Sequence, residues 1–363
     1  MYKILFLTPN LSSGGAERQM VNLARLLKKR GLHVEVLCYS KGEFYASLLK
    51  VDGIPVHWKI FKNYFLRLIG VRQFIRKGRY DYVISFLEGA NFLNNFSAIG
   101  GKTWRVITGE RSSKKRTFHS KRGKLFGWFQ RYSDAIVCNS YNAKDMWEKY
   151  HPKYKHKLSV ICNPVILPEI TSEYIPRQNG KLHVVVAASY QYLKNPIGLI
   201  KALALMKEEE REKIEVNWYG NKDFGNSKTN AYQEVVALIA LNKLEGCIKL
   251  NEPTKDIANK MNEADVIALF SELEGLPNAI CEGMTIGKPI IMTKVSDYNT
   301  LIDRANGFLC DWNNPESIKD ALVRAIDLSS EELITFGKAS QDKATNLFAA
   351  NSIVEQWMNI LQK

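Results

Sequence analysis

A chain of 363 residues with 45 % hydrophobic composition is too long for one ordinary core and suits two domains of roughly 150 to 200 residues each. No apolar run approaches the ~20 residues of a membrane-spanning helix, and the opening MYKILFLTPN turns polar at once, which predicts a buried first strand and not a signal peptide. The six cysteines (Cys38, Cys138, Cys162, Cys247, Cys281, Cys310) show no CxxC or His-rich spacing, so a reduced cytoplasmic protein without structural zinc or disulfides is expected.

The net charge of +14 is unevenly spread. Residues 1–164 carry 30 Lys and Arg against 10 Asp and Glu, whereas residues 165–363 carry 21 against 27. A half at +20 beside a half at −6 implies an anionic partner for the first: nucleic acid, anionic lipid or a diphosphate-bearing substrate. A generally basic, soluble surface is the plain alternative.

Strand patterns at 3–8, 33–38, 82–86, 105–108 and 135–138 alternate with helical ones. The helix over 16–29 sets Met20, Leu23 and Leu27 on one face, and Ser140 reads as an N-cap. Prolines and polar residues in CNPVILPEITSEYIPRQNGK break the periodicity. Strands then recur at 182–188, 214–219, 247–250, 266–270 and 289–292, with helices at 196–206, 230–241, 256–262 and 278–286. Helical patterns fill the chain from Pro315, and a last helix near 353–361 is expected to pack back across the first domain. The alternation predicts two parallel sheets with helices on both faces. The division reads as 1–164, a linker at 165–180, a second domain at 181–345 and a terminal helix at 346–363.

In open α/β sheets, ligands sit beyond the carboxyl ends of the strands. The loop after the first strand, NLSSGGAER, carries Gly14 and Gly15, which let backbone approach a ligand, and the helix start beyond them offers N–H groups to a phosphate. Its spacing is not the GxGxxG fingerprint, and a loop that needs glycine only to turn would read the same. The segment SELEGLPNAICEGMTIGKPII says more. It leaves a strand, turns at Gly275 and enters a helix after Pro277, so Glu274 lies in the loop and Glu282 in the helix's second turn. Paired carboxylates suit bidentate bonds to sugar or ribose hydroxyls, and the helix start at Asn278 suits a phosphate. One such glutamate alone would read as a solvated helix residue.

On these segments the chain resembles the retaining family-four glycosyltransferases of the GT-B fold, over nearly its whole length. EGLPNAICEGMTIGKP matches that family's E-x7-E motif, with Glu274 and Glu282 as its glutamates. The resemblance implies two Rossmann-like, doubly wound domains facing across a cleft. It implies that Glu274 contacts the donor sugar and Glu282 the ribose, with Gly275, Leu276 and Pro277 against sugar and diphosphate. Lys194, in YLKNPIG, would meet the diphosphate, and Gly15 would contact it from the first domain; Gly14, Glu17, Ser189 and Asn278 complete the donor set. The implied mechanism is front-face displacement with retention, the leaving diphosphate helping to accept the acceptor's proton. Glu274, Lys194, Arg111 and Glu110 are the catalytic candidates. Two departures stand out: Ala188 and Ser189 occupy the place of the family's usual arginine, and Glu110 and Arg111 stand where many members carry a histidine. No DxD occurs in the chain, which argues against a metal-bridged diphosphate. The nucleotide sugar is then a substrate, and no cofactor or metal is expected.

The first half's basic residues cluster twice. Over 59–77, Phe61, Tyr64, Phe65, Leu68 and Ile75 share a helical face flanked by Lys62, Arg67, Arg76 and Lys77, interrupted by Gly70 and Arg72. This reads as a helix lying on an anionic membrane, or as a core-facing helix with a solvated basic side. The second cluster, Lys114, Lys115, Arg116, Lys121, Arg122 and Lys124, either grips a diphosphate-linked acceptor or lipid headgroups, or is a solvated loop. SGGAER, ISFLEG and the basic stretch most resemble bacterial enzymes extending undecaprenyl-diphosphate-linked oligosaccharides, including N-acetylgalactosamine transferases. That resemblance implies a UDP-linked hexose or N-acetylhexosamine donor and a lipid-linked acceptor for O-antigen, capsule or N-glycan precursor. It also implies a place on the inner face of the cell membrane, and no nucleic-acid partner. A nucleotide-sugar epimerase of the same shape is the alternative enzyme, and a nucleic-acid-binding protein the alternative from another class.

Overall fold

The computed structural model describes residues 2–111, 118–223 and 229–362. The chain divides into two compact units, Met1–Ile166 with Ala350–Lys363, and Leu167–Ala349.

In the first unit, runs such as ILFLT and YVISF are buried along their whole length, the signature of strands covered on both faces. Seven strands form its sheet: β1 (Lys3–Thr8), β2 (His33–Cys38), β3 (Val56–Trp58), β4 (Tyr82–Phe86), β5 (Arg105–Glu110), β6 (Ala135–Cys138) and β7 (Leu158–Val160). Their order is β3-β2-β1-β4-β5-β6-β7, and β1 pairs in parallel with β2 and β4. Successive side chains alternate between faces. Ile4, Phe6, Val36 and Ile84 therefore enter one core cluster, while Leu5, Leu7, Leu37 and Val83 enter another. Helix Ala350–Gln362 completes the first cluster with Ile353, Val354, Trp357, Ile360 and Leu361. Trp357 lies 6.4 Å from the Phe86 ring, and Tyr82 Oη donates to the Leu361 carbonyl.

The basic stretch folds differently from its sequence pattern. The helix is Tyr64–Lys77, opened by Asn63, whose side chain accepts from Leu66 N–H. The ring of Phe61 lies on Gly70, where any Cβ would collide with it, so the glycine that interrupts the pattern is the seat of an aromatic ring. Arg72 donates to the carbonyls of Phe96, Ser97 and Ile99, and Arg76 to those of Ile99 and Gly101. These two arginines, expected to face acceptor or membrane, instead satisfy the carbonyl end of helix Glu88–Ser97. The exposed apolar face is Tyr64, Phe65, Leu66 and Ile69.

The second unit repeats the plan with β8 (Leu182–Ala187), β9 (Ile214–Tyr219), β10 (Ile248–Asn251), β11 (Val266–Leu269), β12 (Ile290–Thr293) and β13 (Gly307–Cys310), in the order β10-β9-β8-β11-β12-β13. Much of the stretch read as a linker is fixed to this unit. Thr171 and Ser172 N–H groups donate to Asn259 Oδ1, Tyr174 Oη and Arg177 N–H to Asp265 Oδ1, and the Arg177 guanidinium to the Ile326 and Leu328 carbonyls. Under Tyr174 lies the buried Lys288, its Nζ 3.0 Å from the ring centroid; burial lowers its pKa to about 7. Among the described residues no helix is long and apolar enough to cross a membrane.

Trp357→Ala empties the largest side chain that the terminal helix lends to the first core. It should cost about 3–5 kcal/mol of stability, read as a lowered denaturant midpoint.

Candidate functional site

Both sheets reverse strand order, between β1 and β4 in the first and between β8 and β11 in the second. At such a switch point the connections leave to opposite faces and open a crevice at the strands' carboxyl ends.

In the second unit, the residues beyond β8 and β11 are those that the sequence singles out. After β8 the chain runs through Ala188 and Ser189 to a short turn at Lys194. Gly220, beyond β9, packs so tightly on Ala188 that a Cβ would collide with its carbonyl. Asn195 takes φ +58° and accepts from Gly198 N–H, opening helix Pro196–Leu205. Glu272 N–H donates to the Leu193 carbonyl (2.9 Å) and joins this turn to the loop after β11. Lys194 Nζ thereby meets Glu274 Oε1 at 2.6 Å, and Ser271 Oγ donates to the same oxygen at 2.7 Å. Ser296 Oγ holds the Gly275 carbonyl. Leu276 and Pro277 are buried, and Asn278 begins helix Asn278–Ile286, which carries the half-buried Glu282. The first-turn N–H groups of that helix leave a positive end beside the ion pair's loop. The structure thus brings Lys194, Glu274 and Gly275 together, with Asn278 and Glu282 on the adjoining helix.

The first unit holds the remaining candidates. Gly14 caps helix Gly15–Lys29, and a Cβ on Gly14 would collide with the Glu17 carboxylate, which therefore curls over the helix start. Glu110 ends β5 and accepts from Asn91 Nδ2 (2.9 Å) and Gln130 Nε2 (3.3 Å). Burial pushes its carboxyl up to about 7, against the pull of Asn91 and the neighbouring Arg111. Arg111 stacks 3.8 Å from the Phe86 ring centroid and donates to Asn163 Oδ1 at 2.8 Å, while its Nε has no hydrogen-bond partner among the described residues. Burial lowers its pKa to about 10. These two residues border a cavity of about 380 Å³ whose other walls include Glu88, Phe92, Phe126, Trp147 and His151.

Sequence reasoning missed the polar lattice behind Glu110. Ser85 Oγ donates to Asn91 Oδ1, Asn94 Nδ2 to the Val83 carbonyl, Asn95 Nδ2 and Thr108 Oγ1 to Gln130 Oε1. The available signal was the Asn-Asn pair in the otherwise apolar FLNNF, since buried amides persist only where they are bonded. Lys114, Lys115 and Arg116 lie outside the described residues. Lys62 is exposed, and Arg67 sets its guanidinium 5.1 Å from the Tyr39 ring centroid and 5.9 Å from that of Tyr64. Among the described residues no group of three or more His, Cys, Asp or Glu is placed to hold a metal ion.

The comparisons with known proteins bear on the whole chain. Residues 13–167 match the family model described as Glycosyltransferase Family 4, and residues 181–327 the one described as Glycosyl transferases group 1. An Escherichia coli relative, UDP-Gal:alpha-D-GlcNAc-diphosphoundecaprenol alpha-1,3-galactosyltransferase, is 35 % identical over 367 residues, covering 94 % of this chain and 91 % of that enzyme. The chain belongs to this glycosyltransferase family. The transferase is also 24 % identical, over 99 % of its length and 98 % of the relative's, to a Campylobacter jejuni alpha-1,4-N-acetyl-D-galactosaminyltransferase named for a diNAcBac-PP-undecaprenol-linked acceptor. In fold it matches Anabaena HepE, solved with UDP and glucose, at a TM-score of 0.84 and 19 % identity over the full length of both chains. It matches TarM at 0.81 and 12 % identity, covering 100 % of this chain and 99 % of that one. The fold of the transferase is GT-B.

A raised carboxyl loses its stabilising proton as pH rises, so Glu110 weakens the fold increasingly between its ordinary value of 4.5 and about 7. Wild type should lose stability relative to Glu110→Gln across that window, as read by denaturant titration at pH 5 and pH 8.

Proposed function

We propose that the transferase moves a hexose or N-acetylhexosamine from a UDP-sugar to an undecaprenyl-diphosphate-linked saccharide, with retention at the anomeric carbon. The observation that carries the reading is the meeting of Lys194 and Glu274 at the switch point of the second unit, 2.6 Å apart. An ammonium and a carboxylate fixed side by side suit a donor that is anionic at its diphosphate and rich in hydroxyls at its sugar. Glu282 takes the ribose, and Gly275, Leu276, Pro277, Asn278 and Ser189 line the donor. The UDP-Gal donor in the name of the E. coli relative and the UDP held by HepE support the choice of nucleotide.

Bond breaking leaves negative charge on the β-phosphate. Lys194 and the positive start of helix Asn278–Ile286 stabilise it without reorganisation, and the departing phosphate oxygen accepts the proton of the attacking hydroxyl on the same face. Within the first unit, Glu110 and Arg111 remain catalytic candidates and Gly14, Gly15 and Glu17 donor-binding ones. The charge stabilisation rests on protein groups, so a divalent cation is not required. The acceptor's lipid places the enzyme at the inner face of the membrane. The exposed Tyr64, Phe65, Leu66 and Ile69, flanked by Lys62, support that docking.

Lys194→Ala and Glu274→Ala should each lower transfer by roughly 10²–10³ without moving the melting temperature by more than a few degrees, and EDTA should leave wild-type turnover unchanged. Wild-type rates in either variant remove the donor assignment. Flotation on phosphatidylglycerol vesicles at low salt should carry wild type up and fail for Phe65→Glu; equal flotation of both contradicts docking through this face.

A further inference from the structure

The loop after β11 is fastened on both of its sides. In the sheet order β11 lies between β8 and β12, so the turn at Lys194 flanks the loop on one side and the residues beyond β12 flank it on the other. On the β8 side, Glu272 N–H donates to the Leu193 carbonyl and Lys194 Nζ meets Glu274. On the β12 side, the buried Thr293 Oγ1 donates to the Ser271 carbonyl at 2.6 Å, and the half-buried Ser296 Oγ donates to the Gly275 carbonyl.

Ser296 reaches Gly275 from a strained backbone. Its φ is +53°, in the left-handed region where a side chain crowds its own backbone and glycine is at ease. Asn195, at φ +58°, uses that conformation to cap helix Pro196–Leu205. The helix after Ser296, Tyr298–Leu301, takes its cap position from Asp297, so the strain at Ser296 serves no helix start. It serves the bond to the neighbouring loop, and strain of this kind collects where a ligand is clamped.

Thr293 already holds the root of that loop, so the second bond acts on its tip. Glycine is the joint at which a backbone turns most freely, and Ser296 fixes the carbonyl of that joint. The peptide from Gly275 to Leu276 is trans and planar. A carbonyl anchored on the β12 side therefore sends the Leu276 N–H toward the β8 side, where Lys194 stands. A backbone N–H and an ammonium then face one space, an arrangement that favours an anion, and the carbonyl oxygen that would oppose the anion is held out of it.

We propose that Ser296 is a positioning residue for the donor: by holding the Gly275 carbonyl, it turns the Leu276 N–H onto the β-phosphate of the nucleotide. This assignment rests on the donor reading above. It adds to that reading a residue from the loop after β12 and names the phosphate it serves.

The test is calorimetric titration of the full chain with UDP and, separately, with UMP, which lacks the β-phosphate. Wild type should bind UDP more tightly than UMP. Ser296→Gly removes the hydroxyl and relieves the backbone. It should weaken UDP binding about tenfold, leave UMP affinity unchanged and keep the melting temperature within a few degrees of wild type. Ser296→Ala, which removes the hydroxyl and keeps the Cβ, should show the same selective loss. UDP affinity equal in wild type and both variants overturns the assignment. An equal loss for UDP and UMP also overturns it, because a residue that only supports the fold of the unit does not distinguish the two nucleotides. Wild type that binds UDP no better than UMP overturns it and leaves the nucleotide reading standing. Wild type that binds neither nucleotide overturns both.

Discussion

The reversal of strand order within each parallel sheet is the constraint on which the rest depends. A parallel strand can be followed only by a crossover, and crossovers of one hand carry the chain progressively to one side. When β4 is laid on the other side of β1, and β11 on the other side of β8, the loops leaving those central strands part to opposite faces. Each parting exposes backbone and helix starts at one edge of the sheet. Lys194 and Glu274 occupy that edge in the second unit; Gly14 and Gly15, after β1, and the start of helix Glu88–Ser97, after β4, occupy it in the first. Because the strands are buried on both faces, there is little freedom elsewhere for polar chemistry, and it collects at the strand ends.

The two units solve the electrostatics of that edge differently. In the second, charge is balanced locally: the ammonium of Lys194 and the carboxylate of Glu274 neutralise one another, and Ser271 shares the same oxygen. In the first, charge is held out of balance. Glu110 is kept in place by neutral amides, Arg111 by an aromatic face and an asparagine, and Arg67 and Arg122 by tyrosine and phenylalanine rings. Neutral partners position an ionisable group without satisfying its charge, which keeps its affinity for a substrate of the opposite sign. The +20 of residues 1–164 is the bulk expression of the same imbalance.

The long buried strands and amphipathic helices were legible, because continuous apolar runs such as ILFLT mark strands covered on both faces and a 3.6 period survives in Met20, Leu23 and Leu27. The three-residue strands β3 and β7 were not, since so few residues carry no period, and β13 was not, since it opens on Gly307, a residue that reads as a turn but here lets the backbone pack on Ile290. The donor loop was legible because glycine, proline and two glutamates at fixed spacing constrain one another. Arg72 and Arg76 misled because sequence spacing reports which residues share a helical face but not which carbonyls a neighbouring helix end leaves open. The asparagine lattice was hidden for the same reason: its partners come from β4, β5 and the helix at Gln130, and no local pattern joins them.

The central claim is that the switch point of the second unit receives the nucleotide. Hydrogen–deuterium exchange of the full chain, with and without saturating UDP, tests it most directly. The account predicts slowed exchange over residues 188–196 and 271–283, the two loops that Lys194 and Glu274 join. Protection confined to residues 1–166, with those two segments unchanged, would contradict it.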